Sequence, residues 1–461
     1  MAELKANLTK KDQKNRDFIL NGSMWKVVMV ICIPLAIYQS LNQIFKVLDA
    51  KMAAHISSES VSAVVYLSQI QMMLAAIGAG LAIGASLKIS EAYGQGDYKL
   101  VRQRVSSLYA MCAVLGAIII VGIIPFTEQF LKMANTPADL ISVGKTYFNV
   151  ELLALVFMFF NNVYMSIERA RGNSKRILYI NIFGIVLKLS ITAVFVYVLN
   201  GNITMIAVAT LLSQIILFIL ALFYIYGKDN AFGFSMRAVR LNKEICGPML
   251  NRSYPVVIEK VAFSLGKVMV NSMSTDYGSL TVGALGISNN IGGLTTCPQL
   301  GFQEGAAAII SQNLGAKKYD RALDAFKKVL IANVIIGFVG FLSTLYYLDF
   351  ISGLFAEGDM VFKALVEDIY RYEAFGAVTL GINSSVIALL YGYGMMKWTL
   401  FINFSRVFVF RIPVLWFLQN FTGMGAESVG VVMLVSNISV GVVASIIAFI
   451  VIRRIKKGSI Y

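Results

Sequence analysis

Two stretches of this chain repeat each other at a fixed offset of 221 residues, and both lie inside long apolar runs. Gly80, Gly84, Ala85, Ile89, Ser90, Gly94 and Tyr98 recur as Gly301, Gly305, Ala306, Ile310, Ser311, Gly315 and Tyr319. Pro34 and Pro255 keep the same register far outside that motif. A chain that repeats itself at such a distance is built from a duplicated unit. Many secondary transporters form their substrate site between two such membrane units.

The apolar runs set the class. With 57% hydrophobic and 14% charged residues over 461 positions, the chain has too little polar character for a soluble globule. A membrane-spanning helix needs about 20 mostly apolar residues. Such spans are expected near 25–47, 62–86, 105–126, 146–166, 177–199 and 203–226, then near 251–273, 282–310, 329–347, 365–391, 398–418 and 429–452. The expected organisation is a polar tail (1–24), a first six-helix lobe (25–226), a basic connecting loop (227–250), a second lobe (251–452) and a basic tail (453–461).

The formal charge of +15 invites a nucleic-acid reading. The placement of the basic residues argues for topology instead. With an even number of spans and both termini inside, the loops on the inner side hold most of the lysines and arginines. The opposite loops hold Lys51, Lys132, Lys145 and Lys363. This is the positive-inside bias, and it predicts a multi-pass protein of the cytoplasmic membrane with both termini in the cytoplasm. No nucleic-acid partner is expected.

Enzymatic chemistry finds little support. His55 is the sole histidine, which disfavours histidine-dependent catalysis and multi-histidine metal sites. Cys32, Cys112, Cys246 and Cys297 are scattered and read as small core residues. Gly144-Lys145-Thr146 resembles the end of a phosphate-binding loop, but Asp139 stands where its upstream glycine is required. Residues 1–24 show no cleavable signal peptide. Without a nucleotide-binding signature, a transporter would draw on an ion gradient, so no cofactor beyond H+ or Na+ is expected.

The repeated glycines are read as structural. Gly80 with Gly84, and Gly301 with Gly305, fit the small-x-x-x-small rule that lets helix backbones approach closely. Gly94 and Gly315 are expected to supply the left-handed turn at a helix end. A second echo, ERARGNSK (168–175) and LYGYGMMK (390–397), pairs Gly172 with Gly394 and Lys175 with Lys397.

On these residues, with the Ser311-Gln312-Asn313-Leu314-Gly315-Ala316 element and the Pro34 and Asp49 of the first span, the chain resembles the multidrug and toxic compound extrusion (MATE) family. The resemblance covers about residues 25–452. It implies an all-α polytopic fold of twelve transmembrane helices in two pseudo-symmetric six-helix lobes forming a V around a central cavity. It also implies cation-coupled export of small organic molecules by alternating access. The chain is expected to work as a monomer on small-molecule substrates. The fifth span carries Lys188 and Thr192 where many relatives place an Asn and an Asp four residues apart. That departure puts the two-carboxylate coupling site of the family's first lobe in question.

Polar residues inside the spans are the site candidates. Tyr38, Asn42, Lys46 and Asp49 fall on one helical stripe. Charge near a bilayer centre costs about 2.5–3.5 kcal/mol on insertion scales, so such groups face a partner or water. Asp49 reads either as an ion-binding carboxylate, with Lys46 modulating it, or as a cap at the end of its span. Lys188, with Thr192 beside it, is expected to take part in ion coupling through exchange with Asp49. The offset of 221 places Lys267 on Lys46 and Glu259 on Tyr38, and it brings Arg406 and Arg411 close to the image of Lys188. Positive charge contributed from several helices suggests an anionic or zwitterionic substrate. A flippase for a lipid-linked saccharide on a related fold is the nearest alternative, because a pyrophosphate headgroup would suit the same charge. A receptor that binds without flux is a further one.

Overall fold

A bilayer offers the backbone no hydrogen-bond partners, so each apolar run must satisfy its own peptide groups, and a helix does so locally. The computed structural model describes residues 6–54, 58–133, 136, 138–225, 230–356 and 359–457, with the side chains of 46–54, 58–66, 138–140, 142, 143 and 279 outside that description. The first half contains α1 (Lys10–Asn21), α2 (Met24–Ala54), α3 (Ser58–Gln95), α4 (Tyr98–Ala117), α5 (Thr127–Met133), α6 (Ala138–Ala170), α7 (Ser174–Ala193) and α8 (Ile203–Ile225). The second contains α9 (Lys243–Ser274), α10 (Ser279–Gly315), α11 (Tyr319–Tyr346), α12 (Leu348–Ala356), α13 (Met360–Ala374), α14 (Ala377–Gly392), α15 (Met396–Phe408), α16 (Ile412–Phe421) and α17 (Glu427–Lys456).

Among the described residues, nine helical stretches are long and apolar enough to cross a membrane, and α13 with α14, bent by 51°, forms a tenth. The remaining two expected spans are α9, of 32 residues, and α10, of 37. Their polar and glycine-rich sequences hold them below that apolar threshold. Together these fill the twelve expected spans.

The chain packs as two compact units. One comprises Met1–Asn21, Ile44–Val261 and Gly315–Lys317, and the other Gly22–Gln43, Ala262–Leu314 and Lys318–Tyr461. They do not cut the chain at 227–250: most of the first span joins the second unit, and the first part of α9 joins the first. The glycines of the repeat explain this exchange. A Cβ added at Gly80 would lie 2.7 Å from the backbone of Val257, and one at Gly84 would lie 2.4 Å from that of Ser253. In the other unit a Cβ at Gly301 would meet the backbone of Ala36 at 2.3 Å, and one at Gly305 would meet the Sγ of Cys32 at 2.7 Å. Ala36 and Cys32 are the images of Val257 and Ser253 at the offset of 221. Each half thus lends a helix to the other through the same glycine-lined crossing.

The helix ends obey the repeat as well, with a correction. Gly94 and Gly315 are helical, and the left-handed residues are Gly96 (φ 84°) and Lys317 (φ 59°), two positions further on. Each turn is closed by the same bond, Asp97 N to the Ala92 carbonyl at 3.1 Å and Lys318 N to the Asn313 carbonyl at 2.8 Å. Gly315 serves close approach instead, because a Cβ there would lie 2.1 Å from the Glu91 carbonyl oxygen. Gly172 and Gly394, both at φ 77°, close the second pair of elbows through Asn173 N to Glu168 O and Met395 N to Leu390 O.

Candidate functional site

Within the second unit, four elements bring positive charge and one buried carboxylate together. Phe263 lies on α9, one turn before Lys267. The Lys267 ammonium sits 5.1 Å from the Phe263 ring centroid, and the guanidinium carbons of Arg406 and Arg411 sit 5.5 and 6.0 Å from it. These distances are within the roughly 6 Å at which a ring quadrupole attracts a cation. Arg406 lies near the end of α15. Arg411 occupies the break before α16, where the apolar span expected over 398–418 is interrupted and a buried side chain can point inward.

Both arginines are anchored by neutral groups of α17. Arg411 donates from Nε to Ser436 Oγ at 2.9 Å and from Nη2 to Asn437 Oδ1 at 3.3 Å. Arg406 donates from Nη2 to the same Asn437 oxygen at 2.8 Å. Gly376 makes room for Asn437, since a Cβ there would lie 2.5 Å from the asparagine Cβ. Arg406 Nε is buried without a hydrogen-bond acceptor among the described residues. Glu373, at the end of α13, is 8% exposed, accepts from Ser288 Oγ, and feels the charges of Arg411, Arg406 and Lys267. Because the arginines bond neutral oxygens, their charge is oriented and, among the described residues, not consumed by a direct ion pair. Such a site can hold an anionic group while offering Phe263 as an apolar and aromatic surface.

The other expected site residues are spread over both units. Tyr38 and Asn42 are half-buried on the part of α2 that belongs to the second unit. Their neighbours on that helix make polar contacts: Gln39 donates to Glu304 at 3.2 Å, and Gln43 donates to Asn290 Oδ1 at 3.1 Å. Lys46 and Asp49 lie on α2 with side chains outside the described residues. In the first unit, Lys188 is half-buried on α7 and Thr192 is fully buried, its hydroxyl lacking a hydrogen-bond partner among the described residues. Glu259 is 7% exposed on α9. Thus Lys267, Arg406 and Arg411 lie together around Phe263 within the second unit, while Lys188 lies in the first. Glu373, which was not among the expected site residues, is their acidic companion.

A second polar network closes the basic-loop end of the first unit. Arg171 donates to Asp12 from Nε at 3.0 Å and from Nη2 at 2.9 Å, and to Glu168 from Nη1 at 2.7 Å. Asp12 and Glu168 are each 1% exposed and Arg171 is 6% exposed. Burial alone would lower the Arg171 pKa, but Glu168 and Asp12 more than offset it and hold the guanidinium above its ordinary value. Tyr93 Oη donates to the Asp12 carbonyl, and Arg16 donates to the Tyr93 and Gly94 carbonyls. The polar N-terminal segment is therefore a packed helix. The ERARGNSK echo marked this elbow, but its glycine and lysine drew notice ahead of Glu168 and Arg171. Nearby, Glu91 accepts from Lys88 at 2.9 Å and from Arg252 at 2.7 Å.

The MatE family profile matches residues 34–194 and 255–417. A protein of Bacillus subtilis (strain 168) named "Probable multidrug resistance protein YoeA" is 24% identical over 87% of this chain and 88% of its own length. "Multidrug export protein MepA" of Staphylococcus aureus (strain NCTC 8325 / PS 47) is 21% identical over 67% of this chain and 68% of its own. Among solved structures, one described as "Crystal structure of MATE in complex with MaL6" superposes with a TM-score of 0.91 at 20% identity, covering 97% of this chain and all of the other. A MOP superfamily transporter from Pyrococcus furiosus, described by a reverse polarity of its binding pocket, gives 0.90 at 20% identity over 98% of this chain and 99% of its own.

Proposed function

Because the chain belongs to the MatE family, we propose that it exports small organic compounds by ion-driven alternating access, and that the compounds it prefers are anionic or zwitterionic. The observation that carries the substrate class is the convergence of Lys267, Arg406 and Arg411 on Phe263. An organic cation would meet three positive groups against the single carboxylate of Glu373. A carboxylate or phosphate on an aromatic body would meet oriented donors and a ring. Export of such a substrate is also helped by an interior-negative potential, worth about 2.3 kcal/mol per charge per 100 mV.

Ion coupling is assigned to Asp49, with Lys188 and Thr192 on α7 as its companions and H+ or Na+ as the ion. A proton or sodium ion on Asp49 would release Lys188 from it, and the two ionic states would favour different helix arrangements. Tyr38, Asn42, Lys46 and Glu259 are further substrate contacts in this reading. The protein acts as a monomer in the cytoplasmic membrane, with both termini inside. The family match does not favour the lipid-linked saccharide flippase, nor a receptor without flux.

Thermal unfolding of the purified protein across a chemically diverse panel tests the substrate class. A ligand that binds the folded form stabilises it by about 2.7 kcal/mol at a hundred times its dissociation constant. Aromatic carboxylates and phosphates are expected to raise Tm more than organic cations of the same size. The opposite ranking refutes the anionic reading.

A further inference from the structure

The first unit contains an apolar cavity of about 370 Å3 that the transport cycle proposed above does not use. We infer that it holds an acyl chain of an anionic phospholipid whose phosphate rests on Arg237 and Arg240. The volume falls within the roughly 300–1,000 Å3 typical of ligand pockets. Tyr109 of α4, Phe160 of α6, Phe218 of α8 and Phe234 of the following segment line it. The cavity also reaches Val114, which is 53% exposed; the neighbouring Ile118 of the same face and Phe223 of α8 are 55% and 76% exposed. In a membrane-spanning bundle such a rim faces lipid, so the opening leads into the hydrocarbon and not into water.

The remaining wall is the segment leading into α9, and its sequence alternates. Met236, Val239 and Leu241 line the cavity, while Arg237 and Arg240 between them are exposed, as is Lys243 just beyond. One acidic residue, Glu244, is exposed beside Lys243. The wall is fixed in place. Ser235 N donates to Ser106 Oγ at 3.1 Å, Arg240 N donates to Ser107 Oγ at 2.9 Å, and Ser107 Oγ donates back to the Arg240 carbonyl at 3.0 Å. Phe234 meets the edge of Tyr109 with ring centroids 5.9 Å apart. An apolar slot opening to lipid, with guanidinium groups spaced along its polar edge, matches a molecule with a hydrocarbon tail and a negative head.

Native mass spectrometry of the full-length protein, titrated with phosphatidylglycerol and with phosphatidylcholine of the same acyl chains, tests the assignment. Phosphatidylglycerol is expected to be retained at the lower concentration. Replacing Arg237→Gln and Arg240→Gln together is expected to weaken its retention about fivefold per arginine, and Ala113→Trp, which narrows the slot, to reduce retention of both lipids. Arg453→Gln with Arg454→Gln, at the end of α17, is the control for diffuse charge and is expected to change nothing. The arginines are exposed, so their replacement leaves folding intact and keeps the test decisive even should Ala113→Trp not fold. Equal retention of the two lipids by the unmodified protein overturns the inference, as does an equal loss from the control pair. Recovery of a small aromatic compound in place of lipid also overturns it.

Discussion

Arg411 shows how a single residue defines the character of the second unit. It is 3% exposed at the break between α15 and α16, and neutral oxygens hold its guanidinium. Arg411→Gln keeps a hydrogen-bonding side chain and removes the charge. Binding of an anionic substrate is expected to weaken about ten- to a hundredfold, the 1.5–3 kcal/mol of a hydrogen bond to a charged group, with little loss of folded protein; titration calorimetry of the two proteins reads this out. Arg171 carries a different kind of charge. It is the shared cation of two buried carboxylates, so Arg171→Ala strands Asp12 and leaves Glu168 with Arg176 at 3.4 Å. Breaking a buried pair in this way costs about 3–5 kcal/mol, and a clear fall in Tm is expected. An unchanged Tm would mean that α1 is not pinned to this elbow.

At the scale of the helices, the repeat predicts unequal effects at equivalent glycines. The Cβ of Gly84→Ala would strike the backbone of Ser253, whereas that of Gly305→Ala would first strike the Sγ of Cys32. Gly84→Ala is therefore expected to be strongly destabilising, and no trimming of the Ser253 side chain relieves it. Gly305→Ala is expected to be partly rescued by Cys32→Ala. Fluorescence-detected size-exclusion chromatography of the four variants after heating would show the asymmetry, and equal behaviour would contradict the crossing. The helices and glycine pairs were legible in sequence because span length and small-residue spacing follow directly from the bilayer and from close packing. Which helix each pair meets was not legible, since the partner lies about 170 residues away from Gly84 and about 270 from Gly305. The turn residues were misplaced onto Gly94 and Gly315, because the motif ends two positions before the residue that turns left-handed. The break at Arg411 carried a mark in Pro413, at the start of α16, but the apolar run around it concealed the interruption. The helix α1 was hidden because tertiary ion pairs, not an apolar face, hold it.

For the whole molecule, the pattern of charge connects structure to transport. The sequence pointed to Lys267, Arg406 and Arg411 through the offset of 221, and the three do surround one aromatic ring. Glu373 did not stand out in the sequence, because distance along a span says little about burial when the span is bent by 51° at its middle. Coupling through Asp49 makes a further prediction. Asp49→Asn is expected to abolish gradient-driven efflux while leaving equilibrium binding of an organic anion within a fewfold of the original, and full gradient-driven efflux would contradict that role. The most direct test of the whole account measures efflux of an aromatic carboxylate and of an aromatic ammonium compound from proteoliposomes, with and without an imposed H+ or Na+ gradient. An opposing ion gradient is expected to accelerate efflux of the carboxylate far more than that of the ammonium compound. Gradient-driven efflux confined to the ammonium compound, or carboxylate efflux indifferent to both gradients, would contradict it.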